Sequence, residues 1–134
     1  MALKRVVVTG LGALTPIGNN LEEFWKGLIE GKSGAAPITY FDTEKFKTKF
    51  ACELKGFDIS VHLDRKQQRK MDRFTQYGMV STDEAIADSG INLEKVDKTR
   101  VGVIWGSGIG GIETFQNQML EHASGDGTPR FNPF

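Results

Sequence analysis

The chain has 134 residues, with 17 Lys and Arg against 17 Asp and Glu, 39% hydrophobic residues and a mean hydropathy of −0.31, the profile of an ordinary globular domain. Zero formal net charge and a pI near 6.7 give no general electrostatic footprint for nucleic acid or an anionic membrane, and no stretch approaches the roughly 18 to 20 apolar residues of a spanning helix. One cysteine, Cys52, and two isolated histidines, His62 and His122, make no internal disulfide and no zinc spacing, so no metal or cofactor is expected. The start passes from Met1 to Arg5 directly into a strand-like run, without the pattern of a secretory leader, and a cytoplasmic location is expected. Glycine is the outlier, at 16 residues.

In chain order, residues 4–10 form a short β-branched run stopped by Gly10, the pattern of a strand buried on both faces. A loop with Gly10, Gly12, Pro16 and Gly18 follows. The next segment, 21–31, predicts a helix: Asn20 suits the N-cap, Glu23 stands three residues on, Leu21, Phe24, Trp25, Leu28 and Ile29 share one face, and Gly31 is placed to stop it. Residues 32–62 are less regular, with a possible strand over 46–54. From Asp64, a candidate N-cap, the pattern predicts a helix continuing to Asp88 and stopping at Ser89 and Gly90. Met71, Phe74, Gly78, Ser81 and Ala85 give it a mostly small-residue face that another backbone could approach closely. Residues 100–105 read as a second buried strand, leading into a glycine loop and a helix over 112–122. Strand, helix, helix, strand, helix predicts an α/β fold with a mostly parallel sheet and helices on both faces.

Gly106, Gly108 and Gly111, between a strand and a helix, formally meet the dinucleotide fingerprint, in which backbone N–H groups close on a pyrophosphate at a helix N-terminus. The acidic residue expected about 20 positions on is absent, since that region is the Pro-containing tail around Phe131. A small nucleotide-binding protein using 106–111 stays as an alternative. The first loop fails the short-chain dehydrogenase pattern, because Leu14 and Pro16 stand where glycines are required.

Three segments together carry a resemblance: residues 6–18 (Val-Val-Val-Thr-Gly-Leu-Gly-Ala-Leu-Thr-Pro-Ile-Gly), residues 69–77 (Arg-Lys-Met-Asp-Arg-Phe-Thr-Gln-Tyr) and residues 106–111 (Gly-Ser-Gly-Ile-Gly-Gly). In order and spacing they resemble the β-ketoacyl-[acyl-carrier-protein] synthases, in the elongating synthase II group of bacterial fatty acid synthesis. The resemblance implies a thiolase-like fold of two duplicated α/β halves, of which residues 1–134 form an N-terminal segment of the first, and a homodimer. It also implies decarboxylative condensation of an acyl-enzyme thioester with malonyl-carrier protein at a Cys-His-His centre. No residue of this chain matches that centre, whose family positions lie downstream of Phe134. Cys52 is expected to be a small buried cysteine, and His62 and His122 solvated or partly buried histidines. The 134 residues alone are accordingly expected to be inactive. A polyketide-type or non-catalytic relative is the alternative within the fold.

By the same resemblance Ile109, with Gly108 beside it, lines the acyl pocket, and Phe134 belongs to an aromatic pair reaching the partner subunit's pocket. Independently of family, Lys66, Lys70 and Arg73 are spaced i, i+4, i+7 with Arg65 and Arg69 flanking them, a basic helical face whose natural complement is acidic. Acyl carrier protein is such a partner, and the resemblance matches Lys66, Arg69 and Lys70 to carrier-docking positions, with Arg130 contributing from the later loop.

Overall fold

The structure is a computed structural model and describes residues 3–131. Two compact units divide the chain, one drawn from Met1–Phe57 and Val80–Val96, the other from Asp58–Met79 and Asp97–Phe134.

In the first unit, helix α1 spans Leu21–Ile29, and the Asn20 side chain accepts from the Glu23 N–H, a cap worth about 1 kcal/mol. The Glu23 carboxylate reaches back one residue further than a regular capping box would, to Asn19 N at 2.8 Å. Gly31, at φ 65°, supplies the left-handed turn that ends the helix. Its apolar stripe is only partly covered: Leu21 and Phe24 are half-buried, while Trp25, Leu28 and Ile29 are exposed. Strands β1 (Ala36–Pro37) and β2 (Phe50–Ala51) pair antiparallel, Ala36 opposite Ala51 and Pro37 opposite Phe50. The strand expected over 46–54 thus shrinks to two residues. Cys52, just after β2, is exposed rather than buried, because a two-stranded ribbon leaves a face uncovered.

The expected mostly parallel sheet is not formed among the described residues, where β1 and β2 make a two-stranded antiparallel sheet. Residues 4–10 and 100–105 carry no ladder; Val6 is 88% and Ile104 100% exposed. The composition of these runs is right for central strands, but a parallel strand needs hydrogen-bonding neighbours along its edges and helices on its faces. Among the described residues neither run has a hydrogen-bonded neighbour, and α3 meets them at Gly10 and Trp105, so β-branched side chains alone do not make a sheet. Among the described residues the buried hydrophobic side chains are Val80 in the first unit and Leu63 in the second.

The long helix expected over 64–88 is two helices. Helix α2 is a single turn, Arg65–Gln68, with Asp64 closing a full capping box with Gln67; α3 runs Arg73–Ser89. The break has an identifiable cause. Gln76, a buried polar residue, donates its side-chain amide to Gln68 O and Met71 O, both at 3.0 Å, satisfying carbonyls that a continuous helix would have used itself. Lys66 and Lys70 therefore do not share a continuous helical face with Arg73, and the i, i+4, i+7 stripe becomes a basic turn followed by a new helix.

The small-residue face of α3 does receive backbone. A β-carbon on Gly12 would collide with Ser81 O and lie 2.9 Å from Ala85 N, and one on Gly10 would lie 2.6 Å from Ser89 N. Two carboxylates of α3 then hold the loop. Glu84 accepts from Ala13 N at 2.8 Å and from Leu21 N at 2.7 Å, and Asp88 accepts from Leu11 N at 2.8 Å. In the second unit, α4 spans Ile112–Ser124, and Gly78 leaves room for Trp105, whose ring would lie 2.7 Å from a β-carbon there. No described helix is long and apolar enough to cross a membrane.

Candidate functional site

The densest convergence of sequence motifs lies in the second unit, where the turn at 69–72 meets the start of α4. Arg69 caps the C-terminus of α2, and Lys70 N bonds Gln67 O at 3.0 Å, so the two cations sit on a tight turn and not on a helix. Both line a cleft of about 410 Å³ with Met71, Asp72, Phe74 and Phe115 among its other walls. Its lining combines cations with aromatic side chains, a composition suited to an acidic surface carrying apolar groups. Lys66 is exposed on α2 and outside the cleft lining.

Asp72 organises this region. Its Oδ2 accepts from Thr114 Oγ1 at 2.6 Å and from Thr114 N at 3.2 Å. Burial pushes its carboxyl up, but the Thr114 hydroxyl and N–H, with the Phe74 and Arg73 N–H groups, outweigh that and hold it below the ordinary aspartate value. Helix α4 needs such a partner. Its N-cap is Gly111, at φ 70°, with no side chain to cap the first turn, and Asp72 supplies the missing acceptor from elsewhere in the chain. Arg73 adds an exposed ion pair to Glu113 at 3.3 Å, worth little by itself. The Phe74 ring packs on Gly110, where a β-carbon would lie 2.7 Å from it.

This arrangement bears on the nucleotide alternative. The N–H groups of a helix that follows Gly106, Gly108 and Gly111 are the ones a pyrophosphate would use; here the N–H of the third helical residue, Thr114, is taken by a carboxylate, with Glu113 beside it. A phosphate would meet negative charge, and the glycine loop serves as a structural turn.

Ile109 lies in that loop, 74% exposed, with Gly108 also exposed, and neither lines the cleft of Arg69 and Lys70. Arg130 is bound to Asp126 at 3.1 Å and lines a separate pocket of about 250 Å³ with His122 and Phe131. The His122 ring lies tilted against Phe131, centroids 5.4 Å apart, half-buried with no partner on Nδ1, and His62 is exposed. Phe134 lies outside the described residues. The structure thus brings Arg69 and Lys70 together and leaves Lys66, Ile109 and Arg130 apart from that cleft. Sequence reading missed Asp72 and Thr114. The signal available was the N-cap preference of aspartate, here three residues before Thr75 and just ahead of a helical run.

Comparison with known proteins places these observations. The profile of the family "Beta-ketoacyl synthase, N-terminal domain" matches residues 3–133. The chain is 44% identical to the 3-oxoacyl-[acyl-carrier-protein] synthase 2 of Vibrio cholerae over 99% of its length, covering 33% of that protein. It is likewise 44% identical to the protein of that name from Staphylococcus aureus (strain COL), over 98% of the chain and 31% of the relative. The chain therefore spans about a third of the length of the curated relatives it matches. Among solved structures it is similar to the ishigamide ketosynthase/chain length factor, with a TM-score of 0.75, 31% identity, and coverage of 96% of this chain and 32% of that one. It is also similar to a structure described as a type II PKS acyl-carrier protein in complex with its ketosynthase bound to the hexaketide, with a TM-score of 0.72 and 27% identity over 91% of this chain and 31% of that one. The described residues accordingly adopt the N-terminal part of the ketosynthase, thiolase-like fold, and the chain belongs to the beta-ketoacyl synthase family.

Proposed function

We propose that the protein carrying this segment is a cytoplasmic, homodimeric 3-oxoacyl-[acyl-carrier-protein] synthase of the elongating type. It takes an acyl chain as a cysteine thioester and condenses it with malonyl-carrier protein, releasing CO₂ and giving a 3-oxoacyl product two carbons longer. The observation that carries this reading is the 44% identity to synthase 2 proteins along nearly the whole chain. The segment itself contributes binding and not bond-making chemistry. Residues 1–134 are an N-terminal part of the first thiolase-like half, and the nucleophile and two histidines are supplied by sequence the family carries further on.

In this reading Arg69 and Lys70, with Lys66 and Arg130, receive an acidic acyl carrier protein, Ile109 and Gly108 border the acyl chain, and Phe134 reaches toward the partner subunit's pocket. What supports docking is charge: five cations and two carboxylates lie between Asp64 and Arg73, giving a local surplus of three in a chain whose net charge is zero. Likeness to a ketosynthase/chain length factor and a type II PKS ketosynthase favours one second reading, a polyketide-type synthase that extends without intervening reduction.

Mass spectrometry of the full-length protein's products from acyl- and malonyl-carrier protein distinguishes these. A single 3-oxoacyl product two carbons longer supports the fatty-acid reading, a poly-3-oxo chain the polyketide one, and no condensation product refutes both. The 134 residues alone give no turnover on either reading, and turnover by them would overturn the assignment of the chemistry to sequence outside this segment.

A further inference from the structure

We propose that Asp72 is a positioning residue that fixes the loop bearing Ile109 relative to the basic turn of Arg69 and Lys70, so that selection of acyl-chain length depends on the Asp72–Thr114 pair. The inference rests on the reading in which that turn meets the carrier and Ile109 meets the acyl chain.

Ile109 is 74% exposed, so packing of its own side chain does not set its position. Upstream, Trp105 packs against Gly78, while β-carbons placed on Gly106 and Gly108, between it and Ile109, would meet nothing within 4 Å. Beyond Ile109 the loop is held on its C-terminal side by three consecutive residues, Asp72 to Phe74, where α3 begins. Asp72 takes the Thr114 hydroxyl and N–H, Arg73 pairs with Glu113, and the Phe74 ring covers Gly110. Of the three, the Asp72 contact is the short, two-point, charge-assisted one, the strongest class of hydrogen bond available here. The Arg73 pair is exposed at both ends and contributes little.

Asp72 follows Met71, the last residue of the basic turn, and Thr114 follows Ile109 by five positions. One carboxylate therefore connects the two segments that would meet the same substrate, its protein carrier on one side and its acyl chain on the other. Loosening the contact leaves the cations in place and lets the Ile109 loop shift. In an apolar pocket one methylene is worth about 10- to 200-fold in discrimination, so a displaced Ile109 changes chain-length preference by about tenfold.

The test uses the full-length protein and reads the ratio of kcat/KM for longer and shorter acyl-carrier substrates. Thr114→Val removes the hydroxyl donor and keeps the shape and the N–H, Thr114→Ser restores the hydroxyl, and Asp72→Ala removes the acceptor. Expected are a shift of about tenfold in the ratio for Thr114→Val and Asp72→Ala, a ratio unchanged from the parent for Thr114→Ser, and an unaltered KM for malonyl-carrier protein in Thr114→Val. If Asp72→Ala does not fold, the two Thr114 variants decide the matter. An unchanged ratio in Thr114→Val, or an equal shift in Thr114→Ser, overturns the inference. Ile109→Phe separates the inference from its premise. If it leaves the ratio unmoved, the role of Ile109 fails; if it moves the ratio and Thr114→Val does not, the Asp72 inference alone fails.

Discussion

Replacing Glu84 by alanine isolates the device that holds the first glycine loop. Its two carboxylate oxygens accept from different backbone groups, Ala13 N at 2.8 Å and Leu21 N at 2.7 Å, and thereby tie the loop to the start of α1. Both contacts are partly buried. A hydrogen bond to a charged group contributes about 1.5 to 3 kcal/mol, and an alanine leaves both amides without their acceptor. At about 1.4 kcal/mol per factor of ten, native-state hydrogen exchange at Ala13 and Leu21 in the full-length protein speeds up by roughly 10- to 100-fold. Glu84→Gln keeps one acceptor oxygen and turns an NH₂ group toward the other amide, so one of the two amides loses protection more than the other. Asp88→Asn acts on a neighbouring contact, Leu11 N at 2.8 Å, and changes Leu11 alone. Unchanged exchange at Ala13 and Leu21 in Glu84→Ala, or acceleration equal at Leu11, would show that the loop is held by something other than this carboxylate.

Other expectations follow from the same geometry. Gly12→Ala places a β-carbon against Ser81 O and 2.9 Å from Ala85 N, backbone atoms that cannot rotate away, so chemical denaturation should show a loss of about 1 to 3 kcal/mol or more from overpacking. Gly31→Ala, at φ 65° but with open space around it, should cost only the left-handed backbone penalty of about 1 to 2 kcal/mol. On the proposed function, and not from the geometry, Ile109→Phe is expected to shorten the products of the full-length enzyme by mass spectrometry, and unchanged product length would contradict a role of Ile109 beside the acyl chain. For Asp72 the sign is that of a depressed carboxyl. The stabilisation is fully present above the ordinary aspartate pKa of about 3.9 and is lost as pH falls through the lower folded value. Protection of the Thr114 amide should therefore persist at pH 5 to 7 and fall only in more acidic solution, whereas loss between pH 5 and 7 would contradict the assignment.

Local signals in the sequence carried well where local physics decides. Asn20, Gly31 and the spacing of Leu21 and Phe24 define α1 because capping and periodicity act within one turn of chain. The small-residue face of α3 was legible for a related reason: Ser81 and Ala85 could accommodate only something without a side chain, and Gly10 and Gly12 are that partner. The break at 69–72 was not legible, because it depends on a side chain of the next helix, Gln76, taking carbonyls from the turn before it. The strand-like runs at 4–10 and 100–105 have the right residues and no ladder, since strand formation depends on neighbours that composition cannot supply. Asp72 went unnoticed among the surrounding cations; its partner Thr114 is 42 residues away, and no spacing rule reaches that far. The basic segment was found, but its geometry was not: a helical stripe in the sequence is a turn in the structure.

Carrier docking at Lys66 on α2 and at the turn of Arg69 and Lys70 is tested most directly by the affinity of the full-length protein for acyl carrier protein as a function of salt, for the parent and for Lys66→Glu with Lys70→Glu. Exposed ion pairs contribute about 0.2 to 1 kcal/mol each, and reversal both removes attraction and adds repulsion, so Kd is expected to rise by about tenfold at low salt, with a flattened salt dependence. Equal affinity and an equal salt slope in the two proteins would contradict it.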